Sequence, residues 1–187
     1  ISGNSKTPFL ELPEIFNRVR NVLPEAKLRL IGSDSFDIKT NSKSTWELMK
    51  NLFTKDDLNN VEYLGKIPYD EIQEHIKKAN VCVFPTYAET LGMVTIEAMA
   101  MQKAIVNSNI GWSQELIKDE ESGYLVYPSN HDLYAERITQ LFKDDSLVLQ
   151  LGKKARERAE EKFNINELAL ENISFYQNII NSNKKTT

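Results

Sequence analysis

The sequence predicts an α/β fold in which helices cover both faces of a parallel β-sheet. Short apolar runs rich in β-branched residues alternate along the chain with amphipathic runs of helical period, the pattern of strands joined by helical crossovers. The run at 81–85, VCVFP, is almost wholly apolar, as in a parallel strand that is buried on both faces. The length of 187 residues suits one such domain, or one half of a larger enzyme.

The individual elements follow from the local pattern in chain order. Residues 9–23 carry apolar side chains at the i, i+3, i+4, i+7 spacing of an amphipathic helix, which Pro24 ends. Strands are predicted at 27–31, 61–64, 81–85, 104–108 and 123–127. The other predicted helices lie at 44–53, from Pro68 to Ala79, and at 91–102, 113–118, 131–143, 146–162 and 165–180.

The number of strands is one short of a complete doubly wound sheet. A Rossmann-like sheet normally has about six strands, in the order 3-2-1-4-5-6, and the strand that should precede the first helix is weak or absent. That strand would be the central one. Either residues 1–4 supply a stub of it, or the chain is truncated or interrupted there. We interpret 1–187 as a single Rossmann-like domain.

Composition excludes several classes of protein. A net charge of −4 argues against a nucleic-acid partner, whose phosphates would need a basic face. A single cysteine excludes a disulfide framework within the chain and suits a reducing compartment. No apolar run approaches the roughly 20 residues that span a bilayer, and residues 1–8 have no apolar segment typical of a signal peptide. We therefore expect a cytoplasmic protein.

The familiar cofactor and metal motifs are missing. The sequence has no G-x-G, so it lacks the dinucleotide fingerprint, and it has no P-loop. No pair of His, Cys or Asp residues has zinc-ligand spacing, and we predict neither a metal nor a cofactor. His75 and His131 stand alone and are expected to be surface or half-buried residues, and Cys82 is expected to be a small core residue.

The segment at 84–106 carries the chemistry. It runs from the end of a predicted strand through a loop into a helix that begins near Leu91, and ligands of open α/β sheets lie beyond the carboxyl ends of the strands. Gly92 at the helix start allows the backbone to approach a ligand closely. The N–H groups of Gly92, Met93 and Val94, with the positive end of the helix dipole, would suit a phosphate or diphosphate.

Two glutamates flank this helix start. Glu97 lies in the sequence LGMVTIEAMAM, a helix with apolar or small residues on nearly every side, which is normally buried all round. A carboxylate there either reaches a surface or pairs with a buried Lys or Arg, or it accepts hydrogen bonds from the hydroxyls of a ligand. Glu89, in the loop before the helix, could hold a second polyol. Two carboxylates beside a diphosphate pocket suit a nucleotide-sugar.

The segment resembles the Glu-x7-Glu signature of the retaining GT-B glycosyltransferases, the glycosyl transferases group 1. Matching positions are Pro85, Glu89, Gly92, Glu97 and the residues 98–100, followed by the strand at 105–106. The Gly-x-x-Pro turn at 65–68 and the stretch 109–130 are also similar to the family, so the likeness covers about 10–180. It implies the C-terminal half of a GT-B fold, which binds the donor substrate.

The resemblance assigns a role to each matching residue. Glu97 would bind the ribose hydroxyls and Glu89 the donor sugar, and both are candidate catalytic residues that act by orienting the donor. Gly32 would lie at the wall of the nucleotide cleft, unless it is simply a turn glycine at a strand end. The remaining contacts would come from the turn Gly65, Lys66, Ile67 and Pro68 against the base, and from the backbone of Thr90, Leu91, Gly92, Met93 and Val94 against sugar and diphosphate.

The chain departs from the family at three places. Thr90 and Leu91 replace the common Gly-Phe, and Gln102-Lys103-Ala104 replaces the usual Gly-x-Pro. Family members also carry an Arg and a Lys near the end of the first strand, which neutralise the leaving diphosphate. In this chain Lys6 is the only cation of that region, and we expect that it does not replace the pair.

The implied reaction transfers a hexose, with retention, from a nucleotide-sugar such as UDP-, GDP- or ADP-hexose to a saccharide or lipid-linked acceptor, without a required metal. The acceptor would be bound by an N-terminal domain upstream of Ile1, to which the helix at 165–180 would cross back. Any membrane contact would come through that domain, and the chain alone would bind donor weakly without turnover.

Two other functional classes stay open. One is a stand-alone nucleotide-binding or interaction module without transferase activity. The other is a related epimerase or phosphorylase half. The glutamate spacing argues against the epimerase, and no lysine lies between Lys78 and Lys103 to hold a phosphorylase cofactor.

Overall fold

A computed structural model describes residues 10–38, 40–87 and 91–183 of the chain. Three predictions from the sequence fall outside these ranges: the strand stub at 1–4, the cation Lys6, and the pair Glu89 and Thr90.

The described elements alternate between helices and short strands, as the sequence predicts. The strands are β1 (Leu28–Leu30), β2 (Val61–Tyr63), β3 (Val81–Phe84), β4 (Ala104–Ser108) and β5 (Tyr124–Val126). The helices are α1 (Glu11–Val22), α2 (Thr45–Lys50), α3 (Lys55–Leu58), α4 (Tyr69–Lys78), α5 (Met93–Ala100), α6 (Ser113–Leu116), α7 (His131–Lys143), α8 (Asp145–Phe163) and α9 (Ile165–Asn183).

The described strands form two parallel sheets. β1 pairs with β2, with Leu28 opposite Val61. β3 pairs with β4, which pairs with β5, and Val83 faces Val106. The two strand orders match the two halves of a doubly wound sheet, which lie on either side of its central strand. From the sequence, residues 1–4 are the candidate for a stub of that central strand.

Polar side chains set where several helices begin. The Ser44 hydroxyl accepts the N–H of Glu47 at the start of α2, and Asn130 and Asp144 do the same for α7 and α8. The short helix α3 was not predicted. Its four residues are too few to show a helical period, although the Thr54 side chain caps it by accepting the N–H of Asp57.

Two hydrophobic clusters cover opposite faces of the larger sheet. The first joins Ile15, Phe16 and Val19 of α1 to Val106 on β4 and to residues of α7. The second joins Ile105, the neighbour of Val106, to helices α5 and α8 through a group that includes Ala98, Met99, Ala155, Ala159 and Cys82. Because successive strand residues point to opposite faces, this division confirms a sheet covered on both sides.

Helix α8 approaches the turn after α5 very closely. Gly152 of α8 is buried, and a Cβ placed on it would lie 2.2 Å from the carbonyl oxygen of Gln102. Gln102 itself has a φ of 58°, in the left-handed region that glycine adopts most easily. The absence of a side chain at Gly152 therefore allows α8 to pack against this turn.

Helix α9 leaves most of its apolar side chains exposed, among them Ile165, Leu170, Ile173, Phe175, Tyr176, Ile179 and Ile180. Within the described ranges, no helix has the length and apolar character needed to cross a membrane.

Candidate functional site

Two glycines shape the carboxyl ends of β1 and β2. The N–H of Gly32 donates to the carbonyl oxygen of Gly65 over 2.9 Å, and the Tyr63 hydroxyl donates to the carbonyl oxygen of Gly32, also over 2.9 Å. Gly65 has a φ of 64°, and no atom lies within 4 Å of where its Cβ would be. The backbone at Gly65 is therefore open to a ligand on its Cβ side. After it, Lys66 is exposed and Ile67 is half-buried.

Tyr69 links this glycine turn to the helix that carries Glu97. It is the first residue of α4, directly after Pro68, and its side chain is mostly exposed. Its hydroxyl donates a hydrogen bond of 2.5 Å to Oε1 of Glu97 on α5. The contact with the carboxylate raises the pKa of Tyr69, first through the hydrogen bond and then through charge.

The start of α5 is the place where the sequence predicts an anion site. Gly92 is its N-cap residue, with a φ of 71°, and the amides of a first helical turn have no carbonyl partner within the helix. One expectation was wrong: α5 is not buried all round. Met93 and Val94 of its first turn are exposed, as is Leu91 before it, whereas Thr95, Ala98 and Met99 are buried.

Glu97 is half-buried, and its two carboxylate oxygens have different surroundings. Oε1 accepts from Tyr69, whereas Oε2 is buried and has no hydrogen-bond partner. No Lys or Arg within the described part of the chain forms an ion pair with it, so the expected alternative of a buried pair is not observed. A buried acceptor without a partner costs about 1–3 kcal/mol. Such an atom in a native site is a candidate for a ligand contact.

Asn107 is a second buried polar residue near the end of a strand. It pairs in register with Phe84, the last residue of β3. Its Oδ1 accepts the N–H of Ser108, but its Nδ2 is buried without a partner. Among the side chains that the structure describes, the unpaired buried atoms are thus one acceptor, on Glu97, and one donor, on Asn107. The Asn107 donor lies where β4 nears its carboxyl end.

A buried polar cluster in this region was not predicted from the sequence. Glu11, only 2% exposed, accepts from the Tyr87 hydroxyl over 2.9 Å and is in hydrogen-bond contact with Nε2 of His131. Burial, and then the bond to Glu11, raises the pKa of Tyr87 to about 12. A signal for Glu11 exists, since it lies in line with Ile15 and Val19 at i, i+4, i+8, a carboxylate on an apolar stripe.

The other predicted side chains lie as expected. His131 is half-buried, and so is His75, whose Nδ1 is 3.2 Å from a guanidinium nitrogen of Arg29. Cys82 is buried in the core, and this burial raises the pKa of its thiol to about 11. No cluster of His, Cys, Asp and Glu that could hold a metal ion occurs in 10–38, 40–87 or 91–183.

Comparison with known proteins places the chain in a family. The family model for glycosyl transferases group 1 matches residues 10–158. Among curated proteins, N-acetyl-alpha-D-glucosaminyl L-malate synthase from Bacillus anthracis is 28% identical over 160 residues, which cover 86% of this chain and 39% of that protein. The chain spans well under half the length of the curated relatives that it matches.

Solved structures show the same fold. A TarM variant from S. aureus, in a complex that contains UDP, superposes with a TM-score of 0.74 at 26% identity, covering 91% of this chain and 33% of that one. The C-terminal domain of the group 1 glycosyltransferase LpcC from Francisella tularensis superposes with a TM-score of 0.72 at 22% identity, covering 83% of this chain and 79% of that one.

The described architecture is therefore that of the C-terminal half of a GT-B fold, with parallel strands flanked by helices. The glycine turn, the start of α5 and Glu97 occupy the part of the chain that the family model matches. On this evidence the chain belongs to the glycosyl transferases group 1 family.

Proposed function

We propose that this chain is the donor-binding domain of a retaining glycosyltransferase, which transfers a hexose from a nucleotide-sugar to a saccharide or lipid-linked acceptor in glycan synthesis. The observation that carries the proposal is Glu97. Its Oε2 is buried without a partner on a helix that begins at a left-handed glycine. A ribose hydroxyl would supply the missing donor.

The surroundings of Glu97 suit the rest of a nucleoside diphosphate. Through Tyr69 it lies beside the turn that contains Gly65, whose open backbone would face the base. The first-turn amides of α5 would bind the diphosphate, since a helix N-terminus offers unpaired donors and a positive dipole end. Glu89, eight positions before Glu97 and outside the described residues, would bind the hexose.

The chemistry of the transfer requires little else from this domain. Breaking the bond between the anomeric carbon and the diphosphate oxygen leaves negative charge on the diphosphate as the sugar gains oxocarbenium character. Preorganised amides at the start of α5 would stabilise that charge. Glu89 and Glu97 orient the donor in this scheme and do not act as an acid and base pair.

Uridine diphosphate is the first ligand to test, because the complex of the TarM relative contains UDP. Titration calorimetry on the 187-residue chain with UDP, GDP, ADP and their hexose conjugates tests the proposal directly. We expect one nucleotide to bind at millimolar concentration or below. Without its acceptor domain the chain should not transfer sugar.

Glu97→Gln keeps the shape of the side chain and removes its charge. Because hydrogen bonds to a charged group contribute about 1.5–3 kcal/mol, the variant should bind the nucleotide about 10-fold more weakly or worse. Glu71→Gln, at an exposed glutamate in the first turn of α4, is the matched control and should bind like the parent chain. Equal affinities for Glu97→Gln and the parent would contradict the ribose role.

A further inference from the structure

Tyr69 combines exposure with a specific hydrogen bond, which is unusual for a surface tyrosine. Its side chain is 61% exposed, so water could satisfy its hydroxyl. The hydroxyl instead donates to Oε1 of Glu97, a residue 28 positions away on another helix. The phenol is thus held at the carboxylate by this hydrogen bond.

We propose that Tyr69 is a positioning residue for nucleotide binding: its hydroxyl fixes the Glu97 carboxylate so that Oε2 is presented to the ribose. This inference rests on the proposed function of Glu97. The terminal torsion of a glutamate is broad and roughly two-fold, so its two oxygens are interchangeable by rotation. A phenol bound to Oε1 removes that freedom.

The number of hydrogen-bond acceptor sites on the Glu97 carboxylate supports this role. An ionised carboxylate has about four lone-pair sites on its two oxygens. Tyr69 uses one on Oε1, and Oε2 is buried with its sites unused. The hydroxyl of Tyr69 therefore leaves the other oxygen available. A ribose carries two adjacent hydroxyls, which can donate to Oε2 and to the remaining site on Oε1.

The contact also joins two elements that would form walls of the proposed nucleotide cleft. Tyr69 directly follows Pro68, the end of the glycine turn that would face the base, and Glu97 lies on the helix that would bind ribose and diphosphate. The hydrogen bond fixes the distance between these walls before a ligand arrives. A site organised in this way loses less freedom on binding.

A competing role for Tyr69 predicts the opposite change in nucleotide affinity. If the phenol instead occupied the place of a ribose hydroxyl, it would compete with the ligand, and its removal would strengthen binding. Tyr69→Phe separates the two roles because it removes only the hydroxyl from an exposed ring, which leaves the fold unaffected.

The experiment compares affinities by calorimetry. It uses whichever of UDP, GDP and ADP binds tightest, together with the 2′,3′-dideoxy analogue of the same nucleotide. Tyr69→Phe should weaken binding of the ribonucleotide about 5-fold, the equivalent of one hydrogen bond, and should leave binding of the dideoxy analogue unchanged. Tyr176→Phe, an exposed tyrosine on α9, is the control and should match the parent chain.

Other outcomes overturn the inference. Tighter or unchanged ribonucleotide binding by Tyr69→Phe would show competition or no role, and equal weakening for both ligands would show a general structural effect. If Glu97→Gln weakens binding but Tyr69→Phe does not, only the role of Tyr69 fails. If the parent chain binds none of the three nucleotides, the proposed function fails, and the role of Tyr69 fails with it.

Discussion

Replacing Gly152 by alanine should destabilise the protein, although helix propensity alone predicts the reverse. In an exposed helix interior, alanine is more favourable than glycine by about 1 kcal/mol. Gly152, however, is buried where α8 meets the turn after α5. Tertiary contact and propensity therefore act in opposite directions at this residue.

The geometry gives the size of the effect. The added Cβ would lie 2.2 Å from the Gln102 carbonyl oxygen and 3.0 Å from its carbonyl carbon, both backbone atoms that cannot rotate away. An ordinary contact needs at least 3.4 Å, so α8 and the turn must separate by about 1 Å. Overpacking of this kind costs up to about 3 kcal/mol. After the gain of about 1 kcal/mol in propensity, we expect a net loss of about 2 kcal/mol.

Urea unfolding followed by circular dichroism measures this loss as a lower midpoint with an unchanged slope. Gln150→Ala, at an exposed position of the same helix, controls for propensity and should stay within about 0.5 kcal/mol of the parent chain. If Gly152→Ala proves as stable as the parent or more stable, the close approach of α8 to the turn is wrong.

Four further changes test other parts of the structure. Gln102→Gly should raise the free energy of unfolding by about 0.5–1 kcal/mol, because a left-handed φ of 58° strains any side chain; urea midpoints measure the gain. His131→Ala removes the contact between Nε2 of His131 and the buried Glu11 carboxylate and should lower the free energy of unfolding by about 1–3 kcal/mol in the same assay. Hydrogen bonds hold the pKa of Asp34 near 2, and the largest effect comes from the Ser44 hydroxyl. The contribution of Asp34 to the free energy of unfolding is therefore complete above pH about 4 and is lost as the pH falls towards 2. In acid titrations over that window, the free energy of unfolding of Asp34→Asn should therefore depend less on pH than that of the parent chain. Because the pKa of Tyr87 is raised to about 12, its contribution to the free energy of unfolding is complete below pH about 10 and is lost by pH 12. The difference in stability between Tyr87→Phe and the parent should therefore shrink across that range.

The fold could be predicted from the sequence largely because most of its helices and strands have a recognisable local pattern of apolar residues. The apolar run at 81–85 and the stripe of α1 each lie within one element, so their period can be recognised without any partner. The short helix α3 could not be recognised in this way, because its four residues complete barely one turn.

The candidate site was predictable to the extent that single positions are anomalous. Glu97 stands out as a charge among apolar residues, and the family resemblance gives it a role. Its partner Tyr69 does not stand out, since their contact depends on how the start of α4 approaches α5 across 28 residues of chain. Glu11 does stand out, as a carboxylate on the apolar stripe of α1, but its partner His131 lies 120 residues away, so their contact follows only from the folded structure.

The packing of helix α1 determines where the domain can be shortened without loss of stability. It packs against α7, which follows the larger sheet, and against α3, which lies between the strands of the smaller one. Its Phe16 also meets Phe53 edge to face, with ring centroids 6.1 Å apart. A protease that cleaved within α1 would therefore loosen the supports of both sheets at once, so shorter versions of the domain should retain α1 intact.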